Sequence, residues 1–129
     1  MIVETKPQII KRQHKQPEAR IQASAVLWLW NERPETRGLF IHIPNEGNRA
    51  SAIDGALRRS LGLVAGAPDT FLFMPRGQYA GLAIEFKTEV GTQSDEQKAF
   101  QARLEKQGYC YRLCRSIEQF KQIIAEYLG

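Results

Sequence analysis

Three side chains in the middle of the chain have the types and spacing to handle a phosphodiester. Glu85 and Lys87 stand two residues apart in Ile84-Glu85-Phe86-Lys87, a run that reads as a β-strand. Side chains alternate faces along a strand, so the acid and the lysine share one face while Ile84 and Phe86 turn into the core. Asp69 lies one hairpin's length upstream, at the mouth of the preceding apolar run, and brings a second carboxylate to the same sheet end. Phosphodiester hydrolysis needs an activated water, neutralisation of charge on phosphorus and help for the leaving oxygen. A hard divalent cation, Mg²⁺ or Mn²⁺, supplies these when oxygen ligands hold it with positions left open. Asp69 and Glu85 are the candidate ligands. A protonated lysine does not ligate, so Lys87 is assigned to orienting the attacking water or stabilising developing charge. Glu-x-Lys on a strand is also the pattern of a plain surface ion pair. A structural protein in which these acids only solvate a sheet edge is therefore a competing reading.

Hydrophobic periodicity supplies the elements that must position these residues. Pro17 sits where a helix's first turn begins, and Glu18 in that turn suits the helix dipole. Ile21, Ala25 and Leu29 with Leu27, Trp28 and Trp30 make a broad apolar surface, which predicts a largely buried helix through about Asn31. Arg33–Gly38 is a loop, and Leu39–Ile43 is a short strand stopped by Pro44. Asn45–Arg49 is a polar loop. A helix is expected over 50–61, with Gly62 as its stop. Asp69–Met74 and Tyr79–Thr88 read as strands joined by the turn Pro75–Gln78. Ser94 with Gln97 forms a capping-box pattern for a helix to Gln107, which Gly108 ends. Tyr109–Cys114 is a last strand, and Ser116 caps a last helix carrying Ile117, Phe120, Ile123, Ile124 and Tyr127. The order is αβαββαβα: an α/β fold, with a small mixed sheet and helices on both of its faces.

At 129 residues the chain is one domain's worth, with 1–16 expected as a flexible basic tail and 17–129 as the domain. The longest apolar runs fall far short of the ~20 residues that cross a bilayer, and no secretory signal pattern opens the chain. The expectation is a cytoplasmic protein without membrane contact. The net charge of +4 leans towards a polyanionic partner. Lys6, Lys11, Arg12, Lys15 and Arg20 crowd the start, either as a solvated tail or as a phosphate-contacting arm. Arg49, Arg58, Arg59 and Arg76 are candidates for contacts to a DNA backbone, which would bind without reading sequence. Cys110 and Cys114 share one strand face about 13 Å apart, too far for a disulfide, and read as buried thiols.

A longer pattern surrounds the three residues. It runs from Ile43-Pro44-Asn45-Glu46-Gly47, through Arg58-Arg59-Ser60-Leu61-Gly62-Leu63-Val64-Ala65-Gly66-Ala67-Pro68-Asp69, across Gly81 to Lys87, and through Ser94-Asp95-Glu96-Gln97-Lys98 to Gly108-Tyr109. This resembles the VRR-NUC domain of the PD-(D/E)XK nuclease superfamily, in its stand-alone phage or bacterial form. The resemblance implies a restriction-endonuclease-like core. It implies Asp69 and Glu85 as metal ligands, with the Phe86 carbonyl as a further oxygen and Lys87 as the catalytic lysine. It also implies Gln97 facing the site and Glu18 presented to the metal by the first helix. Asn45 and Glu46 are candidates to line the cleft. The implied activity is Mg²⁺- or Mn²⁺-dependent, structure-selective cleavage of branched DNA such as Holliday junctions, by a two-fold homodimer with two active sites. A catalytically silent DNA-binding module of the same fold is the alternative.

Overall fold

The computed structural model describes residues 17–44 and 52–129. The expected basic tail, and the loop carrying Asn45, Glu46 and Arg49, lie outside the described residues.

Helix α1 spans Pro17–Glu32. It starts at a proline because the first helical N–H has no partner to lose there. A single 3₁₀ turn, Pro34–Thr36, leads to strand β1, Phe40–His42. Helix α2 (Ala52–Ser60), strand β2 (Thr70–Leu72) and strand β3 (Leu82–Phe86) follow. Helix α3 (Asp95–Lys106), strand β4 (Cys110–Cys114) and helix α4 (Ile117–Leu128) complete the chain. The four strands lie in sequence order. β1–β2 and β2–β3 are antiparallel, whereas β3–β4 is parallel. A parallel neighbour cannot be reached by a tight turn, and α3 is the crossover that this pairing requires. The order αβαββαβα and the mixed sheet stand as the patterning implies.

The core divides on the two faces of β3. Leu82, Ile84 and Phe86 pack with Ala25 and Leu29 of α1 and Phe120, Ile123 and Ile124 of α4. On the opposite face Ala83 joins Phe71 and Tyr111, covered by Leu104 of α3 with Ile43 and Tyr109. All of β3 is consequently buried, and Glu85 has no exposed surface at all. Burying a side chain such as Leu, Ile or Phe contributes about 1.5–3 kcal/mol. Several of these on one strand can offset a buried carboxylate on its other face.

Three expectations need correction. The strands are shorter than their apolar runs. Regular pairing ends at Leu72, beyond which Phe73 is exposed and Pro75 has no N–H to give. Towards β3, Arg76 and Tyr79 pair only with each other across the turn, through N–H···O bonds of 3.0 and 2.8 Å. Helix α1 is also one-sided rather than largely buried. Ala25 and Leu29 are enclosed and Trp28 packs edge-on to Phe120 at 6.1 Å, but Leu27 is 64% and Trp30 36% exposed. Finally, α2 ends at Ser60, with Leu61 N–H bonded back to Leu57 O at 3.0 Å before Gly62 turns at φ +100°.

Gly66 sets the approach to Asp69. Its φ is +87°, and a Cβ on it would lie 2.3 Å from the Glu96 carbonyl oxygen and 2.8 Å from Gln97 N. The loop before β2 is thereby pressed onto the first turn of α3. Backbone on backbone has no soft neighbour to give way, so Gly66→Ala combines strain with a clash. We expect it to lower unfolding stability by about 1–3 kcal/mol or more, read by denaturant melts. Gly38→Ala, at φ +81° with open space around the site, is expected to cost less.

Candidate active site

Asp69 directly precedes β2, and continuing the register of Thr70 against Ile84 sets it opposite Glu85 at the sheet end away from the hairpin turn. The Phe86 N–H donates to Asp69 Oδ2 at 2.7 Å, tying the acid to the strand that carries the other. The Asp69 carbonyl accepts the Ile43 N–H at 2.8 Å. Asp69 is therefore held by backbone N–H groups on both sides of it.

Glu85 is inside the protein rather than on its surface. Its Oε1 accepts a hydrogen bond from the Tyr111 hydroxyl. Its Oε2 is buried and has no hydrogen-bond partner among the described residues, and Lys87 Nζ lies 3.6 Å from it. Lys87 shares the face of Glu85, as strand alternation requires, and only 12% of its side chain is exposed. Glu18, in the first turn of α1, borders the same space. A Cβ on Gly91 would stand 3.5 Å from Glu18 Oε2 and 3.5 Å from Lys87 Cδ. Glycine here leaves a cradle between the two.

Both facing carboxyls sit above the ordinary carboxylate range. For Asp69 burial is the main cause and Glu18 adds to it, while the Phe86 N–H, Lys87 and His42 act the other way. For Glu85 burial again leads, opposed by the Tyr111 hydroxyl and Lys87 and assisted by Asp69. Desolvation outweighs mutual repulsion at both. The Tyr111 hydroxyl is pushed up as well, by burial and then by Glu85, so it remains a donor.

The donor set is hard oxygen throughout, with one buried carboxylate oxygen left unsatisfied. Among the described residues no three His, Cys, Asp or Glu side chains close on one point. Carboxylate oxygens are the ligands that a hard cation of the Mg²⁺ kind takes, one or two of them with waters and phosphate oxygens for the rest. Asp69 and Glu85 would hold it, with Glu18 near enough to be felt electrostatically by Asp69.

Other candidates fall in varied places. Gln97 completes the capping box of α3: its side-chain oxygen accepts the Ser94 N–H at 2.8 Å while its own N–H donates to Ser94 Oγ at 3.1 Å. Arg58 and Arg59 are in the last turn of α2. Arg58 borders a groove of about 650 Å³ with His42 and Leu63, and His42 Nδ1 is 3.0 Å from the Asp69 carbonyl. His42 is thus the link between that groove and the Asp69 backbone. Arg76 is at the hairpin tip, the opposite end of β2 and β3 from Asp69 and Glu85.

Four residues that the sequence reading did not single out support the site. Tyr111 donates to Glu85, and Gln93 donates to the Tyr111 hydroxyl behind it. His42 touches the Asp69 backbone. The Arg115 guanidinium donates to the carbonyls of Thr88 at 2.5 Å and Gly91 at 2.7 Å, pinning the loop beside Glu18 and Lys87. A tyrosine and a glutamine carry no spacing signal, because only the crossover brings them back to β3.

Comparison with known proteins agrees with this fold. The model of the VRR-NUC domain matches residues 8–118. Among solved structures, one described as a VRR-NUC domain protein superposes with a TM-score of 0.74 at 25% identity, covering 86% of this chain and 87% of that one. A second, described as a VRR-NUC domain, has a TM-score of 0.53 at 27% identity, covering 85% and 96%. None of the curated proteins matches the chain.

The raised carboxyls fix the sign of a pH effect. Both bind protons more readily folded than unfolded, so their stabilising contribution is greatest below the ordinary carboxylate range. It falls as pH rises through the window up to their raised values. In metal-free protein we expect Glu85→Gln to raise the melting temperature at neutral pH, with the gain shrinking as the pH drops into that window. A gain that instead grows with acidification contradicts the assignment.

Proposed function

The chain belongs to the VRR-NUC domain family, a nuclease-type DNA-processing fold, and we propose that it is a metal-dependent, structure-selective DNA endonuclease. Its substrate on this reading is branched DNA, a four-way junction above all, and its cofactor is Mg²⁺ or Mn²⁺. The observation that carries the proposal is the buried Glu85 Oε2. Among the described residues this oxygen has no hydrogen-bond donor and only the Lys87 ammonium 3.6 Å away as counter-charge. Desolvating a carboxylate is costly, and a divalent cation facing it would offset more of that cost.

Asp69 and Glu85 would hold the ion, which when bound supplies charge neutralisation at the phosphate and a more acidic water. Asp69 is kept in place for this by the Phe86 N–H. Lys87 is anchored beside Glu85, and its ammonium is positioned to orient the attacking water or to meet charge developing on the phosphate oxygens. Arg58, which shares a groove with His42, supplies a sequence-independent phosphate contact. A four-way junction offers two symmetric strands to cut, which a two-fold dimer would match. The exposed apolar residues of α1, Leu27 and Trp30, are surface available to such an interface.

Incubation of labelled four-way junction and linear duplex with Mn²⁺ tests the reading, with sedimentation to read the oligomer. Junction cleavage above duplex cleavage is expected. Lys87→Ala and Asp69→Asn should each lower the rate by on the order of 10²–10³-fold. Tight junction binding without cuts would assign a silent binding module instead. Mn²⁺ should also raise the melting temperature of the wild type through ligand linkage, and Glu85→Gln should blunt that response. An unchanged response and unchanged cleavage in Glu85→Gln would mean that the site lies elsewhere.

A further inference from the structure

The two oxygens of Glu85 have different fates, and the difference is built by a chain of hydrogen bonds running out to the surface of α3. Tyr111 on β4 pairs with Ala83 in the parallel ladder, which puts its ring on the face that Ala83 and Glu85 share. The ring is 6% exposed and packs with Phe71 and Ala83. Its hydroxyl reaches Glu85 Oε1. Gln93 Nε2 lies 3.4 Å from the same hydroxyl and 3.0 Å from Gln101 Oε1. Gln101 Nε2 in turn lies 3.1 Å from Glu105 Oε2.

The direction of every bond in this chain is set by its two ends. Glu105 Oε2 accepts from Gln101, which presents its NH₂ to it and its oxygen to Gln93. Gln93 must then turn its NH₂ inward, where it can only donate to the tyrosine oxygen. With its acceptor side taken, the hydroxyl has its one hydrogen free for Glu85. A glutamine flipped at either position would set two acceptors or two donors face to face. The arrangement ties Oε1 to β4 through the tyrosine hydroxyl, while among the described residues Oε2 has no hydrogen-bond partner and lies 3.6 Å from the Lys87 ammonium.

We propose that Tyr111, oriented by Gln93 and Gln101, is a positioning residue that occupies Glu85 Oε1 and so leaves Oε2 as the single oxygen offered to a divalent cation. This rests on the metal-dependent reading above and adds to it: Glu85 ligates through one oxygen, in an orientation set from β4 and α3. Tyr111 touches neither ion nor substrate; it acts through the carboxylate. Partners of this kind typically change metal affinity by about 10–100-fold when removed.

Tyr111→Phe tests this, because it keeps the ring in its cluster and removes only the hydroxyl. The probe is Mn²⁺ alone, titrated calorimetrically into the full chain and followed separately as the Mn²⁺ concentration giving half-maximal junction cleavage. The expected result is a half-saturation point raised by about 10–100-fold in both measurements. Cleavage should be largely restored at high Mn²⁺, and metal-free junction binding should be unchanged. Gln93→Leu should shift the same quantity in the same direction by less. A residue that only packs would lower the melting temperature without moving the Mn²⁺ half-saturation point, and that outcome overturns the proposal. If Tyr111→Phe does not fold, Gln93→Leu decides alone, and a wild-type half-saturation point in that variant overturns it. Wild-type protein that neither binds Mn²⁺ nor cleaves removes the metal-dependent reading itself. Normal wild-type behaviour with unaltered variants removes only the role given to Tyr111.

Discussion

A carboxylate with no exposed surface, on the central strand of a small sheet, is the constraint from which the rest of this protein follows. Glu85 stands between a tyrosine hydroxyl on one oxygen and a lysine ammonium 3.6 Å from the other. An isolated buried charge costs several kcal/mol even after relaxation, so the fold around it must either neutralise it or pair it. The surroundings do both in part. Burial pushes the carboxyl towards its protonated form, and Tyr111 and Lys87 pull it back. The net effect is a carboxyl raised above its ordinary value, with burial as the leading cause.

That burial requires both faces of β3 to be covered. The α1–α4 face supplies apolar burial through Leu82, Ile84 and Phe86. The α3 face carries Ala83, Tyr111 and the polar chain through Gln93. The parallel pairing of β3 with β4 joins the two, since it forces the intervening chain out over the sheet as α3 and returns it with Tyr111 level with Ala83. An antiparallel hairpin at that position would have needed no helix and would have left Glu85 open to water. Arg115 and Gly91 extend the same economy to the neighbouring loop, where one guanidinium satisfies several carbonyls. There, a missing Cβ leaves room between Glu18 and Lys87.

Much of the fold is legible in the chain because its signals are local. Pro17, the Ser94–Gln97 box, Ser116 and Gly62 mark helix ends by backbone chemistry, and α1 to α4 begin or stop near them. The strands were legible in place but not in length. Apolar runs continue past the regular pairs because Phe73, whose N–H still reaches the Leu39 carbonyl at 2.9 Å, and Tyr79 also serve aromatic contacts, at 4.6 Å to Phe71 and 6.2 Å to Tyr127. The sidedness of α1 was hidden for a related reason: Leu27 and Trp30 are as apolar as the residues that do pack, and only the position of α4 decides which of them it covers.

The site divides in the same way. Residue type and two-residue spacing determine by themselves that Glu85 and Lys87 share a face, and a hairpin's length is enough to bring Asp69 to them. Strand alternation and turn geometry act over a few residues and need no partner. Whether Glu85 faces water or the interior depends on α3, more than a turn of chain away. Which of its oxygens is occupied depends on Tyr111, 26 residues on. Those are properties of non-local packing. They exist only once β4 has docked in parallel and the crossover helix has closed over the face that local pattern marks simply as polar.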